Sequence, residues 1–144
     1  MDIPEYITVD EVQRVCDELG FRDWSSIKKP TVLKEEAKAI LNIVNTQGMK
    51  INVEDFRKGL EVELEHGTRY GDANVTNNHP ILTGRIVLAH LKETLDYYQR
   101  LDVAEIEGDL LKAIRAKDMD KAMDKFKNLV EAQRNLSEAI LKQL

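Results

Sequence analysis

The sequence predicts an all-α protein: a compact bundle of five or six helices with a long ordered loop between the third and fourth. Apolar residues recur at helical spacing along nearly the whole chain, and no segment shows convincing strand alternation. Charged residues make up 33% of the chain, as suits salt-bridged helices, and 42% hydrophobic residues suffice for a core. At 144 residues the chain has the length of one domain. We expect a single domain over residues 1–144, with N-terminal helices in 1–50, a central part in 51–101 and a C-terminal helical hairpin in 102–144.

The first helix is predicted over residues 9–19. Thr8 is a natural N-cap, Glu11 follows three positions later as in a capping box, and Gly20 ends the helix. In the connector that follows, we expect Trp24 to anchor onto the core.

The second and third helices are predicted over residues 32–45 and 53–66. The second carries its apolar residues on one face, which is typical of a helix packed against a core. Asn52 is the natural N-cap of the third helix, and Gly67 is expected to be its C-terminal cap.

The fourth helix is predicted over residues 80–101, because Pro80 suits a first helical position, where its missing N–H costs nothing. A fifth helix over residues 103–116 either continues from the fourth through a bend or follows a break near Asp102. A last helix is predicted over residues 119–144 and completes a helical hairpin.

Composition excludes several classes of function. The formal net charge is −5 and no strongly basic block occurs, so nucleic acid is not an expected partner. No apolar run approaches the roughly 20 residues of a membrane helix, and the acidic N-terminus lacks the features of a signal peptide. We therefore expect a cytoplasmic protein without a membrane partner. The single cysteine, Cys16, excludes an internal disulfide and is expected to be a buried thiol.

Helical phase divides the carboxylates of the third helix into two groups. At about 100° per residue, Glu61 and Glu65 fall opposite the apolar face that contains Phe56, so they are predicted to be solvated. Glu63 falls within the apolar face, and His66 lies near its edge. Burying a carboxylate alone is costly, so Glu63 is expected to have a partner.

Two helices each carry a carboxylate and a histidine three residues apart. These are Glu63-x-x-His66 on the third helix and His90-x-x-Glu93 on the fourth. This spacing lets both side chains of a pair approach one ion, and the first pair has the order of the Glu-x-x-His half-motif of di-iron bundles. Imidazole with carboxylate suits zinc, iron or manganese. The first hypothesis is a metal site with these four ligands.

The alternative is a polar network, in which the two imidazoles bond to carboxylates, to Tyr97 or to backbone carbonyls. A simple antiparallel hairpin would not bring His66, at the end of one helix, to His90, about 15 Å along the next. The helices would have to cross, or the loop would have to fold back. In the metal hypothesis, Tyr97 or Asp72 would hydrogen-bond to the ligands.

The long loop before the fourth helix is either functional or a set of local turns that end in a helix cap. It contains neither a Gly-rich phosphate loop nor a nucleophile elbow, so no reaction can be assigned. Its polar residues are Arg69, Asp72, Asn74, Thr76, Asn77 and His79.

Residues 56–101 resemble a family known as domain of unknown function 5661, reported from bacteria and viruses. The first helix resembles the opening of that family, whereas residues 25–50 and the C-terminal helices depart from it. The resemblance implies no activity, cofactor or partner. Its residues are the runs ELEHG at 63–67, NVT at 74–76, AHL at 89–91 and DYY at 96–98, with Gly59, Gly84 and Glu93.

Two functions follow from these observations. The first is a small helical interaction or structural module with a buried Glu/His network, partnered by another protein or by further copies of itself. The second is a metal-binding helical bundle, with an enzymatic role left open.

Overall fold

The structure, a computed structural model, describes residue 1 and residues 3–144, so Asp2 in the acidic N-terminal segment lies outside the described residues. This part of the chain is all-α, with six α-helices, two short 3-10 helices and no strand, which confirms the predicted fold class. None of its helices is long and apolar enough to cross a membrane. The α-helices are α1 (Val9–Leu19), α2 (Lys34–Val44), α3 (Val53–Arg69), α4 (Pro80–Glu93), α5 (Tyr97–Arg115) and α6 (Met119–Leu141).

The chain divides into two compact units. The first, Met1–Lys92, contains α1 to α3 and nearly all of α4, and the second, Glu93–Leu144, contains α5 and α6. The single-domain organisation stays a prediction.

The predicted helix starts are confirmed at α1 and α3. The Thr8 hydroxyl accepts a hydrogen bond from the Glu11 N–H at 3.2 Å, and the Asn52 side chain caps α3 in the same way. Gly20 ends α1 in the left-handed conformation, with φ 69°. The Glu11 carboxylate pairs with Arg14 at 2.8 Å, so its side chain binds along the helix surface.

The predicted end of the third helix was wrong, because α3 continues through Gly67 to Arg69. Gly67 is needed there for close packing: a Cβ at this position would overlap Asn78 Oδ1 and would lie 2.8 Å from the Asn74 side chain. The glycine therefore lets the following loop lie directly against α3.

The break between the fourth and fifth helices lies at residues 94–96, several residues before Asp102. Asp96 lies at this break and is buried. The Arg100 guanidinium donates two hydrogen bonds of 2.9 Å to the Asp96 carboxylate, and the Thr94 hydroxyl donates another. The bond from Arg100 is the main reason that the pKa of Asp96 lies below its usual value.

The core of the first unit is apolar and closely packed. Trp24 is fully buried, as predicted. Gly84 lets α4 approach α2, because a Cβ there would overlap Ile40 Cγ2. The largest buried apolar side chains of this unit also include Val12, Phe56, Leu60, Leu64 and Val87.

The second unit is a helical hairpin, in which α5 packs on α6. Small residues on both helices are buried, among them Ala113, Ala122 and Ala132, which allows close packing. The Lys125 ammonium lies 2.8 Å from the Asp109 carboxylate and links the two helices.

Candidate functional site: a polar cluster around Glu63

The Glu63 carboxylate lies between two imidazoles. Its Oε1 is 3.5 Å from His90 Nε2, and its Oε2 is 3.8 Å from His66 Nδ1. The Glu63 side chain is 11% exposed, against 28% for His90 and 64% for His66. The carboxylate that helical phase placed on the apolar face is thus nearly buried, and protein side chains surround it.

Helices α3 and α4 meet at Glu63 and His90, and this contact resolves the geometric difficulty seen in the sequence. Glu63 lines a small pocket together with Thr83 and Ile86, and its Oε1 lies 3.5 Å from His90 Nε2. These α4 residues are spaced by three and four, so they form one stripe of that helix over about two turns. Glu63 of α3 therefore lies beside this stripe of α4.

The other residues of the predicted site differ in their exposure and in the unit to which they belong. His66 was expected to be semi-buried but is mostly exposed, because it lies on the solvent side of the last turns of α3, where its Nδ1 is 3.2 Å from the Glu63 carbonyl oxygen. Asp72 lies exposed on the 3-10 helix Gly71–Ala73. Glu93 and Tyr97 belong to the second unit.

A small pocket of about 140 Å³ opens beside Glu63. The end of α3 forms one wall, the following loop forms another, and α4 closes the third. Carboxylate, imidazole, amide and hydroxyl groups contribute to its lining beside apolar side chains. The lining residues are Glu63, His66, Gly67, Ala73, Asn74, Val75, Thr76, Asn78, Thr83 and Ile86.

Structural hydrogen bonds hold the polar groups of the loop wall. Asn74 Oδ1 accepts from the Asn78 N–H at 3.0 Å, and Asn78 Nδ2 donates to the Trp24 carbonyl at 3.3 Å. The Thr83 hydroxyl donates to the His79 carbonyl at 2.9 Å. The interpretation of this loop as local turns ending in a helix cap is therefore the better one.

Two consecutive asparagines shape the loop. Asn77 and Asn78 have φ of 47° and 59°, in the left-handed region that asparagine tolerates better than most residues. Asn77 Nδ2 donates to the Ile7 carbonyl at 2.7 Å and to the Glu5 carboxylate, so the loop is also tied to the N-terminal segment. Asn78 was not among the residues singled out from the sequence, although the pair of adjacent asparagines before Pro80 was an available signal.

His79 caps α4. Its Nδ1 lies 3.2 Å from the Ile81 nitrogen and 3.4 Å from the Leu82 nitrogen, so the ring accepts from free N–H groups of the first turn. Burial lowers the pKa of His79 below its usual value, an effect that nearby Glu11 opposes and Arg14 supports. A neutral ring is required here, since a protonated Nδ1 cannot accept.

A second buried carboxylate, Glu36, was missed by the sequence analysis. Arg22 donates two hydrogen bonds to it, at 2.7 and 3.1 Å, and the Leu33 N–H and the Trp24 indole donate one each. Burial alone would raise the pKa of Glu36, but these donors outweigh it and hold the pKa below its usual value. The signal was Glu36 at the third position of α2, where a carboxylate can bind the free N–H of the cap residue.

The two carboxylates expected to be solvated differ from each other. Glu65 pairs with Arg69 at 2.9 Å near the surface, as a solvated residue would. Glu61 was wrongly predicted to be solvated: it is half-buried, receives the Arg57 guanidinium at 2.6 Å and accepts from the Val32 N–H at 3.0 Å. It therefore joins α3 to the segment before α2.

Cys16 is buried, as predicted, and its Sγ lies 3.5 Å from the Trp24 backbone nitrogen. Burial is the main reason that the pKa of this thiol is raised, which disfavours the thiolate that a nucleophile needs.

The chemistry available at the cluster is that of one carboxylate with two imidazoles beside it. These groups can exchange hydrogen bonds, carry charge of either sign, or donate lone pairs to a cation. Within residues 1 and 3–144, no group of three or more His, Cys, Asp or Glu side chains is placed to hold a metal ion.

Comparison with the profiles of known protein families gives a match. Residues 12–107 match the sequence profile of a family described as "Protein of unknown function (DUF5661)". The match extends through residues 25–50, which the sequence analysis regarded as an addition, and leaves α6 outside it. No curated protein and no solved structure matches the chain. Because the profile covers well over half of its length, the chain belongs to the DUF5661 family.

Proposed function

We propose that this chain is a non-enzymatic helical interaction module, in which Glu63, His66 and His90 form a polar network that fixes the position of α4 against α3. One observation carries this proposal: both oxygens of the nearly buried Glu63 carboxylate face imidazoles of the protein, at 3.5 and 3.8 Å. A carboxylate so placed is stabilised by the fold and orients the helices that supply its partners.

The architecture around the cluster supports the structural role. Gly67, Asn74 and Asn78 hold the loop against α3, and Thr83 and His79 bond to each other within the pocket wall and the start of α4. The polar groups of this region thus complete the packing of the first unit. A cytoplasmic location, without a nucleic acid or membrane partner, is part of the same proposal and rests on composition.

Two glutamates on the same helix provide the test. Glu63→Ala removes a nearly buried carboxylate from its two imidazoles and is expected to lower the free energy of unfolding by about 1–2 kcal/mol. Glu65→Ala, the matched control, removes only a surface pair with Arg69 and is expected to change it by less than about 0.5 kcal/mol. Urea denaturation followed by circular dichroism measures both. Equal effects from the two substitutions would contradict the proposed role of Glu63.

A metal-binding module is the second candidate, with Glu63, His66, His90 and Glu93 as ligands for zinc, iron or manganese. The distance of 3.5 Å between Glu63 Oε1 and His90 Nε2 favours it, because two ligands at about 2.0–2.2 Å from a tetrahedral ion lie at about this separation. Elemental analysis of the purified native protein separates the candidates. Stoichiometric metal that is lost in His90→Ala would favour the metal site, and its absence from the wild-type protein would remove this candidate.

A further inference from the structure

The hairpin of the second unit carries an apolar face that its own packing does not cover. Four side chains of α6 are exposed by more than half: Met119 at 65%, Met123 at 52%, Phe126 at 51% and Val130 at 52%. On α5, Leu111 and Ile114 are exposed to a similar degree, at 57% and 53%. Exposed apolar side chains that cluster in this way mark an interaction surface.

The spacing on α6 is that of a coiled-coil seam. Met119, Met123, Phe126 and Val130 follow one another by four, three and four residues, which is the alternation of d and a positions in a heptad repeat. At about 100° per residue the four side chains lie within an arc of about 60°. This seam is separate from the face that α6 turns towards α5, where Ala122 is buried.

Ile114 widens the seam towards α5. It lies about 100° around α5 from the buried Ala113, on the side of the hairpin that the α6 seam also faces. The exposed face is therefore supplied by both helices of the hairpin, and a partner helix would rest mainly on α6.

Charge at the edge of the seam indicates which partner fits. In an antiparallel pair of α6 helices, layers of a against d positions place Met119 opposite Val130 of the second copy and Met123 opposite Phe126 of the second copy. The same register places the e-position residue Asp120 near Lys127 of the second copy, twice by symmetry. In a parallel pair Lys127 would instead lie opposite Ala122 of the second copy, which is uncharged and already buried within the hairpin, and Asp120 would have no α6 residue opposite it.

We infer that α6 is a self-association surface, through which two copies of this chain pair antiparallel along Met119, Met123, Phe126 and Val130. The inference names the partner of the interaction module proposed above, and in that sense rests on it. It uses residues of the second unit only, whereas the Glu63 cluster lies in the first.

Light scattering coupled to gel filtration tests the inference. The wild-type chain is expected to have twice the mass of the 16.5 kDa monomer at micromolar concentrations. Phe126→Glu places a charge in the middle of the seam and is expected to weaken self-association by about tenfold or more. The matched control is Ile43→Glu, at an exposed apolar position on α2, which is expected to leave the mass unchanged.

A charge exchange tests the antiparallel register. Lys127→Glu places a negative charge near Asp120 of the second copy, at both edges of the seam. This repulsion is expected to weaken self-association by about threefold to tenfold. Adding Asp120→Lys restores the opposite charges and is expected to restore the dimer. Asp120 and Lys127 are exposed, so their exchange is not expected to impair folding. The charge exchange therefore still tests self-association if circular dichroism shows that Phe126→Glu impairs folding.

Two results would overturn the inference. A monomeric mass for the wild-type chain throughout the micromolar range would exclude self-association, and a charge exchange without rescue would exclude the antiparallel register. Neither result bears on the comparison of Glu63→Ala with Glu65→Ala, so failure of the inference is distinguishable from failure of the Glu63 network.

Discussion

Glu61, Glu63 and Glu65 are close together on α3, yet each has a different environment. Glu63 is nearly buried between imidazoles, Glu61 bridges to the backbone at Val32, and Glu65 pairs near the surface with Arg69. Helical phase predicted the contrast between Glu63 and Glu65, since phase alone decides which side of a helix faces the core. Phase could not predict the environment of Glu61, because its partner comes from a segment that precedes α2.

His79 leads to a prediction about pH. Because burial lowers its pKa in the folded protein, the unfolded chain binds this proton more readily. The stability contributed by His79 is complete above the unfolded pKa of about 6.5 and is lost as pH falls from there through the lowered pKa. We expect the free energy of unfolding to fall between about pH 7.5 and about pH 5.5.

The variant His79→Asn isolates this contribution. Asparagine can accept from the first turn of α4 without titrating, so the variant should lose less stability over the same pH interval. Urea denaturation at several pH values compares the two proteins. An identical pH dependence in both would mean that His79 does not titrate in the manner described.

At the scale of elements, the starts of α1 and α3 were predictable and the end of α3 was not. A capping residue acts within its own turn, so Thr8 and Asn52 can be recognised locally. Gly67 looks like a helix terminator in sequence, but its role is set by Asn74 and Asn78, which the loop brings back against the helix. A long-range contact of this kind leaves no periodic signal in the sequence.

A pair of glycines tests this account of Gly67. In Gly67→Ala the added methyl group overlaps the Asn78 side chain, and we expect a loss of about 1–3 kcal/mol in the free energy of unfolding. The control is Gly108→Ala on α5, where nothing lies within 4 Å of the added atom. There the better helix propensity of alanine should stabilise the protein by about 0.5–1 kcal/mol. Thermal and urea denaturation of both variants provide the comparison, and a stabilising Gly67→Ala would contradict the close approach.

The molecule as a whole combines two units with different surfaces. The first surrounds the Glu63 cluster with a capped, hydrogen-bonded loop, and the second presents an apolar seam on α6. The all-α class followed from apolar periodicity, whereas the contact between Glu63 and His90 did not, since periodicity assigns faces and says nothing of how two helices are placed against each other. The break at Asp96 was missed for a related reason: an aspartate on a helical pattern reads as solvated until its partner Arg100 is known.

The Glu63 carboxylate on α3 is stabilised by the His90 imidazole on α4. A double-mutant cycle measures this directly, with Glu63→Ala, His90→Ala and the double variant compared by urea denaturation. We predict a coupling free energy of about 0.5–1 kcal/mol, reduced from that of a fully buried pair because both side chains retain some exposure. Additive effects, within about 0.3 kcal/mol, would show that the two side chains do not interact and would contradict the account.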